Sequence, residues 1–433
     1  MRFNLVSLFP EFFDSPLSSG LMARARQSGL VELVCSNPRD FATDKHRSVD
    51  DRPYGGGPGM VMLLETLDAA LKSLDKPGKI LLMSPSGRPF DQAMARDLAG
   101  EEALTLVCGR YEGVDERLMS LHDVTPLSVG DFVLNGGEAA AVCVVEAVAR
   151  LLPGFMGHVG SGEDESFSAG LIEYAHYTRP ENFQGLLAPE ILLSGDHGRI
   201  GRWRREQSLA ATLARRPELL ETAPLDGKDF KVLRDLSAQG GRRRLGRNLH
   251  LALAHHPVLN KEGKTVAVSL TNLDVHDIAR CSCAYGLGGY YISTPLADQQ
   301  ALARELVGHW LGEQGRAVNP DRAEALERVR VVDTLEQAVA LTTEAAGRKP
   351  RVAATSAAVA EKSGPLLSVA DLRGWLEESP VLLVLGTGHG LAPEVFETVD
   401  GTLRPIRPYE AYNHLSVRSA ASIMLDRILG DAQ

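Results

Sequence analysis

No run of this sequence is apolar over the roughly 20 residues that a membrane-spanning helix requires, so no membrane partner is expected. Cysteine is scarce and odd in number. Cys35, Cys108, Cys143, Cys281 and Cys283 do not make a disulfide framework, and they read as reduced core thiols of a cytosolic protein. Cys281 and Cys283 have no His or Cys partners at zinc-site spacing, so no metal site is read from them. The glycine-rich dinucleotide fingerprint and the phosphate-binding P-loop are both missing. A secretory leader is not expected either: in MRFNLVSLFPEFF the apolar run is short, and Pro10, Glu11 and Asp14 interrupt it. Positive charge is in deficit, 46 Lys and Arg against 56 Asp and Glu, a net charge of −10. That total does not advertise a nucleic-acid partner, although it can conceal a local basic patch.

What is present is a chain of 433 residues, long enough for two or three domains. Its most informative stretch is 104–150. Leu104–Cys108 and Val124–Val129 have the length and composition of buried strands, and each runs into a glycine-containing loop. Glu138–Leu152 then reads as a helix. Upstream, Phe3–Leu8 and Val31–Ser36 read as strands flanking a helix at Pro16–Gly29, the unit of a parallel sheet. Lys79–Met83 reads as a further strand, followed by the loop Ser84-Pro85-Ser86-Gly87-Arg88-Pro89. Ligands of open α/β sheets bind at the C-terminal ends of strands. Three glycine-containing loops at such ends, after Met83, Cys108 and Val129, therefore predict one cofactor pocket. They contain no lysine, which argues against a triphosphate. The polar segment NPRDFATDKHRSVDDRPYGGGPGM is too long and irregular for a simple turn. With His46, Arg47, Asp50 and Arg52, it suits a nucleotide or RNA contact.

Composition changes at 157–170, GHVGSGEDESFSAG, which reads as a linker or mobile lid. Beyond it the concealed patch emerges: residues 196–247 hold 13 Lys or Arg against 7 Asp or Glu. Arg199, Arg202, Arg204, Arg205, Arg215 and Arg216 share one helical segment, and Arg242, Arg243, Arg244 and Arg247 follow. Such a module is suited to phosphate contacts. From Asn248 a second α/β pattern starts. Val266–Leu270, Gly289–Ser293, Val329–Val332, Val352–Ser356 and Val381–Leu385 are its expected strands, the last ending in Gly386-Thr387-Gly388-His389-Gly390.

Several stretches occur together and in order: VDDRPYGGGPGM (49–60), MSPSGRPF (83–90), CGRYEGVDER (108–117), VGDFVLNGGE (129–138), HYTRPE (176–181) and WRREQSL with RRPELL (203–220). Through them residues 1 to about 245 resemble the bacterial tRNA (guanosine-37-N1)-methyltransferases. The resemblance implies an α/β fold of the SPOUT type: a trefoil-knot methyltransferase domain at 1–160, a lid or linker at 161–175 and a small helical tRNA-binding domain at 176–245. It implies S-adenosylmethionine as methyl donor, held by backbone groups of Pro85, Gly109, Val129, Gly130, Asp131, Phe132, Val133 and Leu134, with Tyr111, Gly136 and Gly137 nearby. Arg150 matches the family's arginine beside the guanine O6. The family's general base is an Asp directly before Ser-Phe. Here Glu165 holds that place and Asp164 precedes it, so Glu165 is taken as the base, with Asp164 as the alternative. The family also implies tRNA as substrate, a homodimer whose sites are completed by the partner's lid, cytoplasmic location, and dependence on Mg2+, for which the sequence shows no ligand set.

Residues 248–433 resemble a second SPOUT-class, SPOUT-like knotted RNA methyltransferase domain through Asn272 and Arg280 with AYGLGGYYI, LGTGHGLAPE (385–394) and NHLSVRSAASI (413–423). Two readings stay open for it: a second RNA methyltransferase, or a non-catalytic module for RNA binding or assembly.

Overall fold

The computed structural model describes residues 1–156, 165–239, 242–357, 364–407, 412 and 414–430. Residues 157–164, which include Asp164 and the first part of the expected lid, and Asn413 lie outside them. Two compact units emerge, Met1–Ala169 and Gly170–Gln433.

The first unit is built on a parallel sheet with helices on both faces. Its elements are β1 (Arg2–Val6), α1 (Gly20–Gln27), β2 (Glu32–Ser36), α2 (Leu64–Lys72), β3 (Lys79–Pro89), α3 (Gln92–Ala99), β4 (Ala103–Cys108), α4 (Arg117–Leu121), β5 (Val124–Ser128) and α5 (Glu138–Ala149). The strand order is β2-β1-β4-β3-β5, all parallel. β4 is buried along its whole length, and period-two alternation divides its side chains between the faces. Leu104 and Leu106 pack with Val144, Val145 and Val148 of α5; Val107 packs with Leu67 and Leu71 of α2. Each such fully buried Val or Leu contributes roughly 1.5–3 kcal/mol.

One expected loop is a strand. β3 leaves its ladder after Met83 and rejoins at Arg88, both residues facing Leu127 of β5. Residues 84–87 are thus a bulge inside a longer strand. Pro85 cannot donate to a ladder. Gly87 passes so close to β5 that a Cβ would sit 2.3 Å from the Leu127 amide nitrogen.

The second unit opens with a ribbon of Asn182–Phe183 and Leu186–Leu187 and a short helix at Glu190–Leu193, followed by helices α6 (His197–Arg215), α7 (Gly227–Gln239) and α8 (Arg242–Asn248). Then come β6 (Leu249–Ala254), α9 (Asn272–Ala284), β7 (Gly289–Ser293), α10 (Ala297–Leu311), β8 (Val329–Val332), α11 (Leu335–Ala346), β9 (Arg351–Thr355), β10 (Leu366–Leu367), α12 (Val369–Glu378), β11 (Val381–Gly386), β12 (Gly401–Leu403) and α13 (Val417–Leu429). The sheet order is β8-β7-β6-β11-β9-β12-β10, again parallel. Its interior strand β6, third of the seven, is absent from the sequence reading. Of Val266–Leu270, expected as a strand, only Val266 is one, in the two-residue ribbon that Thr265–Val266 makes with Val258–Leu259. The LHLALA of β6 is buried at every residue and directly abuts α8, with no loop between them to set it apart.

Among the described residues no helix is long and apolar enough to cross a membrane. All five cysteines are free, but only Cys108 is buried, and Cys35 and Cys143 are exposed. The expectation of core thiols is corrected accordingly: Cys143 lies on the outer face of α5, and Cys35 on the edge strand β2.

Candidate functional site

In the first unit the 84–87 bulge and the loops after β4 and β5 gather at one edge of the sheet. The Gly137 amide donates to the Gly109 carbonyl at 2.9 Å, fastening the third loop to the second. Glycine is required at 137, because a Cβ there would lie 2.7 Å from Cys108 Cα. Gly130 has φ 154° and is held by Ser128, whose Oγ donates to its carbonyl and accepts from its amide. Tyr111 has φ 57° and is half exposed. Burial, and then the charge of Asp50, push its phenol up.

Two residues that the sequence reading passed over anchor this edge. Glu138 at the start of α5 is 1% exposed. Its Oε1 accepts from Ser7 Oγ at 2.6 Å and from Arg110 Nε at 3.1 Å. Its Oε2 lies 2.9 Å from Arg110 Nη2, an ion pair without hydrogen-bond alignment. A buried carboxylate persists only when paired, so this pair fixes the second loop to α5. Arg110 also covers the Phe9 ring at 4.4 Å. The available signal was a charged residue directly after a glycine in each motif, Arg110 after Gly109 and Glu138 after Gly137.

Phe132, Val133 and Leu134 form a run of exposed apolar side chains, with Val133 at 86%. They are the apolar side chains that this loop offers beside its backbone amides and carbonyls. The irregular segment around residue 50 reaches the same edge. Glu112 donates its amide to the Met60 carbonyl at 2.9 Å, and Met62 to Gly113 at 3.0 Å.

Arg150 caps the other end of α5. Its Nη2 contacts Glu165 Oε1 at 2.5 Å, both side chains being partly exposed. The Glu165 carbonyl accepts from Ser168, while Arg96 donates to the Phe167 and Ser168 carbonyls at 3.2 Å. The structure therefore brings the loop residues together and brings Arg150 to Glu165. It leaves the two groups at opposite ends of a 12-residue helix, about 18 Å long.

In the second unit α6 carries Arg199, Arg202, Arg204 and Arg215 on its exposed surface. Arg204 lies over the Tyr174 ring at 4.7 Å. Arg205 has a different position: it binds both oxygens of Asp229 on α7, at 3.1 and 2.8 Å, and holds that carboxyl below its usual range. Arg216 pairs with Glu218. Arg242, Arg243 and Arg244 lie in α8, and their side chains are outside the described ones.

The second sheet has its own cavity of about 1080 Å³ at the ends of β6, β9 and β11. The glycine-rich loop Gly386–Gly390 forms one wall. Glycine is required at 388, where φ is 60°. Thr387 donates to the Ala254 carbonyl at 2.9 Å. Asn272 and Arg280, the side chains favoured from sequence, are exposed and do not line the cavity. Thr271 and Asp274 line it instead, with His255 and Arg418.

Residues 1–222 match the family model for tRNA (guanine-1)-methyltransferase TrmD, and residues 248–430 match one for SAM-dependent RNA methyltransferase. A tRNA (guanine-N(1)-)-methyltransferase of Oleidesulfovibrio alaskensis is 60% identical over 432 residues, covering 100% of both chains. Its counterpart from Nitratidesulfovibrio vulgaris is 57% identical over 431 residues, again covering 100% of both. The protein of that name from Pelotomaculum thermopropionicum is 52% identical over 243 residues, which is 55% of this chain and 97% of that protein.

Proposed function

The chain belongs to the tRNA (guanine-1)-methyltransferase family, and from that membership we propose that it transfers the methyl group of S-adenosylmethionine to N1 of guanosine 37 in tRNA. The observation that carries the reading is the Arg150–Glu165 pair. On the guanine edge the N1–H donor stands beside the O6 acceptor. A carboxylate and a guanidinium side by side offer the complementary acceptor and donor. Glu165 takes the N1 proton as the methyl arrives. Arg150 stabilises the negative charge that develops on O6. Asp164 is kept as the alternative base.

The loop surface around Gly109, Tyr111, Gly136 and Gly137 fits the methyl donor. Backbone groups of Pro85, Gly109, Val129, Gly130, Asp131, Phe132, Val133 and Leu134 would line it. Its sulfonium supplies an activated methyl group. We read the fold as a SPOUT trefoil knot closed by residues 129–137, supported by the Gly137–Gly109 hydrogen bond. The helices from 176 to 245 are read as the tRNA-binding domain. The separation of the donor loops from Arg150 along α5 supports a homodimer in which one copy's loops meet the other copy's Arg150 and Glu165. Dependence on Mg2+ is carried over from the resembled family. Among the described residues no group of three His, Cys, Asp or Glu is arranged to hold a metal, so no step is routed through one. The proposed location is the cytoplasm, where the tRNA is.

For residues 248–433 we favour a second RNA methyltransferase over a non-catalytic RNA-binding or assembly module, because a cavity of cofactor size stands at the strand ends. The decisive experiment compares methyl incorporation into one tRNA carrying or lacking guanosine 37. Incorporation at N1 of that base, and its loss without the base, is the expected result. Incorporation indifferent to the base would overturn the assignment.

A further inference from the structure

The cavity of the second unit contains a group that the reading above does not use. His255 follows β6 directly and lines the cavity, yet it is only 1% exposed. Among the described residues neither of its ring nitrogens has a hydrogen-bond partner. The Ser269 backbone lies near enough to favour the charged ring without meeting hydrogen-bond geometry. Leaving a buried polar group unmatched costs roughly 1–3 kcal/mol, so such a group on a cavity wall points to a polar ligand atom. Burial pushes the imidazole pKa below its ordinary value, with Asp274 acting the other way. A neutral ring at neutral pH follows, which is the form that can accept a proton.

Asp274 faces the same cavity and is fixed on both sides. Thr271 Oγ1 donates to its Oδ2 at 2.6 Å, and Arg418 Nη1 donates to its Oδ1 at 3.1 Å. The other titratable groups around the cavity are His389 in the glycine-rich loop and His414 before α13. The wall thus holds one sealed neutral imidazole and one immobilised carboxylate.

We propose that residues 248–430 carry a second methyl-transfer site in which His255 is the proton acceptor for an O–H or N–H nucleophile of RNA, with Asp274 as its counter-charge. This rests on the reading of these residues as an S-adenosylmethionine-dependent methyltransferase. The nucleophile's lone pair forms the bond to the methyl carbon while the carbon–sulfur bond breaks. Its electrons return to sulfur, leaving a neutral thioether. The proton shed by oxygen or nitrogen passes to a His255 ring nitrogen, and the resulting imidazolium faces Asp274 until solvent removes the proton.

The test uses the full chain, tritium-labelled S-adenosylmethionine and bulk RNA from cells depleted of this protein. Nucleoside mass spectrometry counts marks other than 1-methylguanosine and separates ribose from base methylation. Calorimetry counts methyl-donor equivalents per chain. The wild type is expected to bind two equivalents and to make a second mark, at a rate that rises with pH to a plateau as the imidazole loses its proton. H255Q and H255N are expected to keep both equivalents and full 1-methylguanosine formation. Their second mark should fall roughly a hundredfold or more, without that pH dependence. A wild type with one equivalent, or with no second mark, overturns the methyltransferase reading and this proposal with it. Two equivalents with a second mark undiminished in both variants overturns only the assignment of His255. Loss of the second equivalent in both variants makes His255 a methyl-donor ligand and overturns its role as base.

Discussion

Glu165 and Arg150 are close enough for a strong ion pair, yet both are partly exposed. Such pairs contribute about 0–1 kcal/mol to stability, so holding the lid shut is not reason enough for the contact. A catalytic use predicts a distinct signature. Glu165→Gln should lower single-turnover methylation of guanosine 37 by roughly 10²–10⁴-fold, while methyl-donor affinity and melting temperature stay near wild type. Rapid-quench kinetics and calorimetry measure the two halves of this statement. If Asp164→Asn produces the loss and Glu165→Gln does not, the base moves by one residue. The sequence supplied Arg150 and Glu165 through motif position alone. Their pairing was not legible, because 15 residues and an irregular segment separate them. The Arg110–Glu138 pair was equally hidden. A buried ion pair has no periodicity, and both residues sit in motifs whose glycines draw attention first.

At the scale of elements, helix α6 separates two kinds of arginine that composition counts alike. Arg202 is exposed, whereas Arg205 is committed to Asp229. Arg202→Ala should weaken tRNA binding at every sequence and reduce the salt slope of the binding constant by about 1, with little change in melting. Arg205→Ala should instead cost about 1.5–3 kcal/mol of stability, the range for hydrogen bonds to a charged group. Filter binding across a salt series and a thermal melt distinguish the two, and equal behaviour would dissolve the distinction. Most helices and strands were readable from period and turn residues, including β4, β7 and β8. β6 was not, because α8 runs into it with no intervening loop, Gly246 and Asn248 themselves lying in the helix. The bulge in β3 resembled a loop because Ser-Pro-Ser-Gly is turn chemistry wherever it stands.

For the whole molecule the question is whether the first activity needs the second sheet. The Pelotomaculum protein is matched over 97% of its length by 243 residues of this chain, about the number that precede β6. In this chain α8 continues straight into β6, an interior strand of the second sheet. A cut after residue 243 removes that strand and everything packed on it, but leaves α6 and α7 with the Arg205–Asp229 pair between them. The shortened chain should therefore fold and methylate guanosine 37 with a turnover like that of the full chain, while binding one equivalent of methyl donor. Circular dichroism, calorimetry and steady-state kinetics on the two lengths provide the comparison. A shortened chain that is folded but inactive would mean that the second sheet is required for the first reaction, whatever chemistry its own cavity performs. An active one would place any function of residues 248–433 in their own site, and His255 is where that chemistry should be sought.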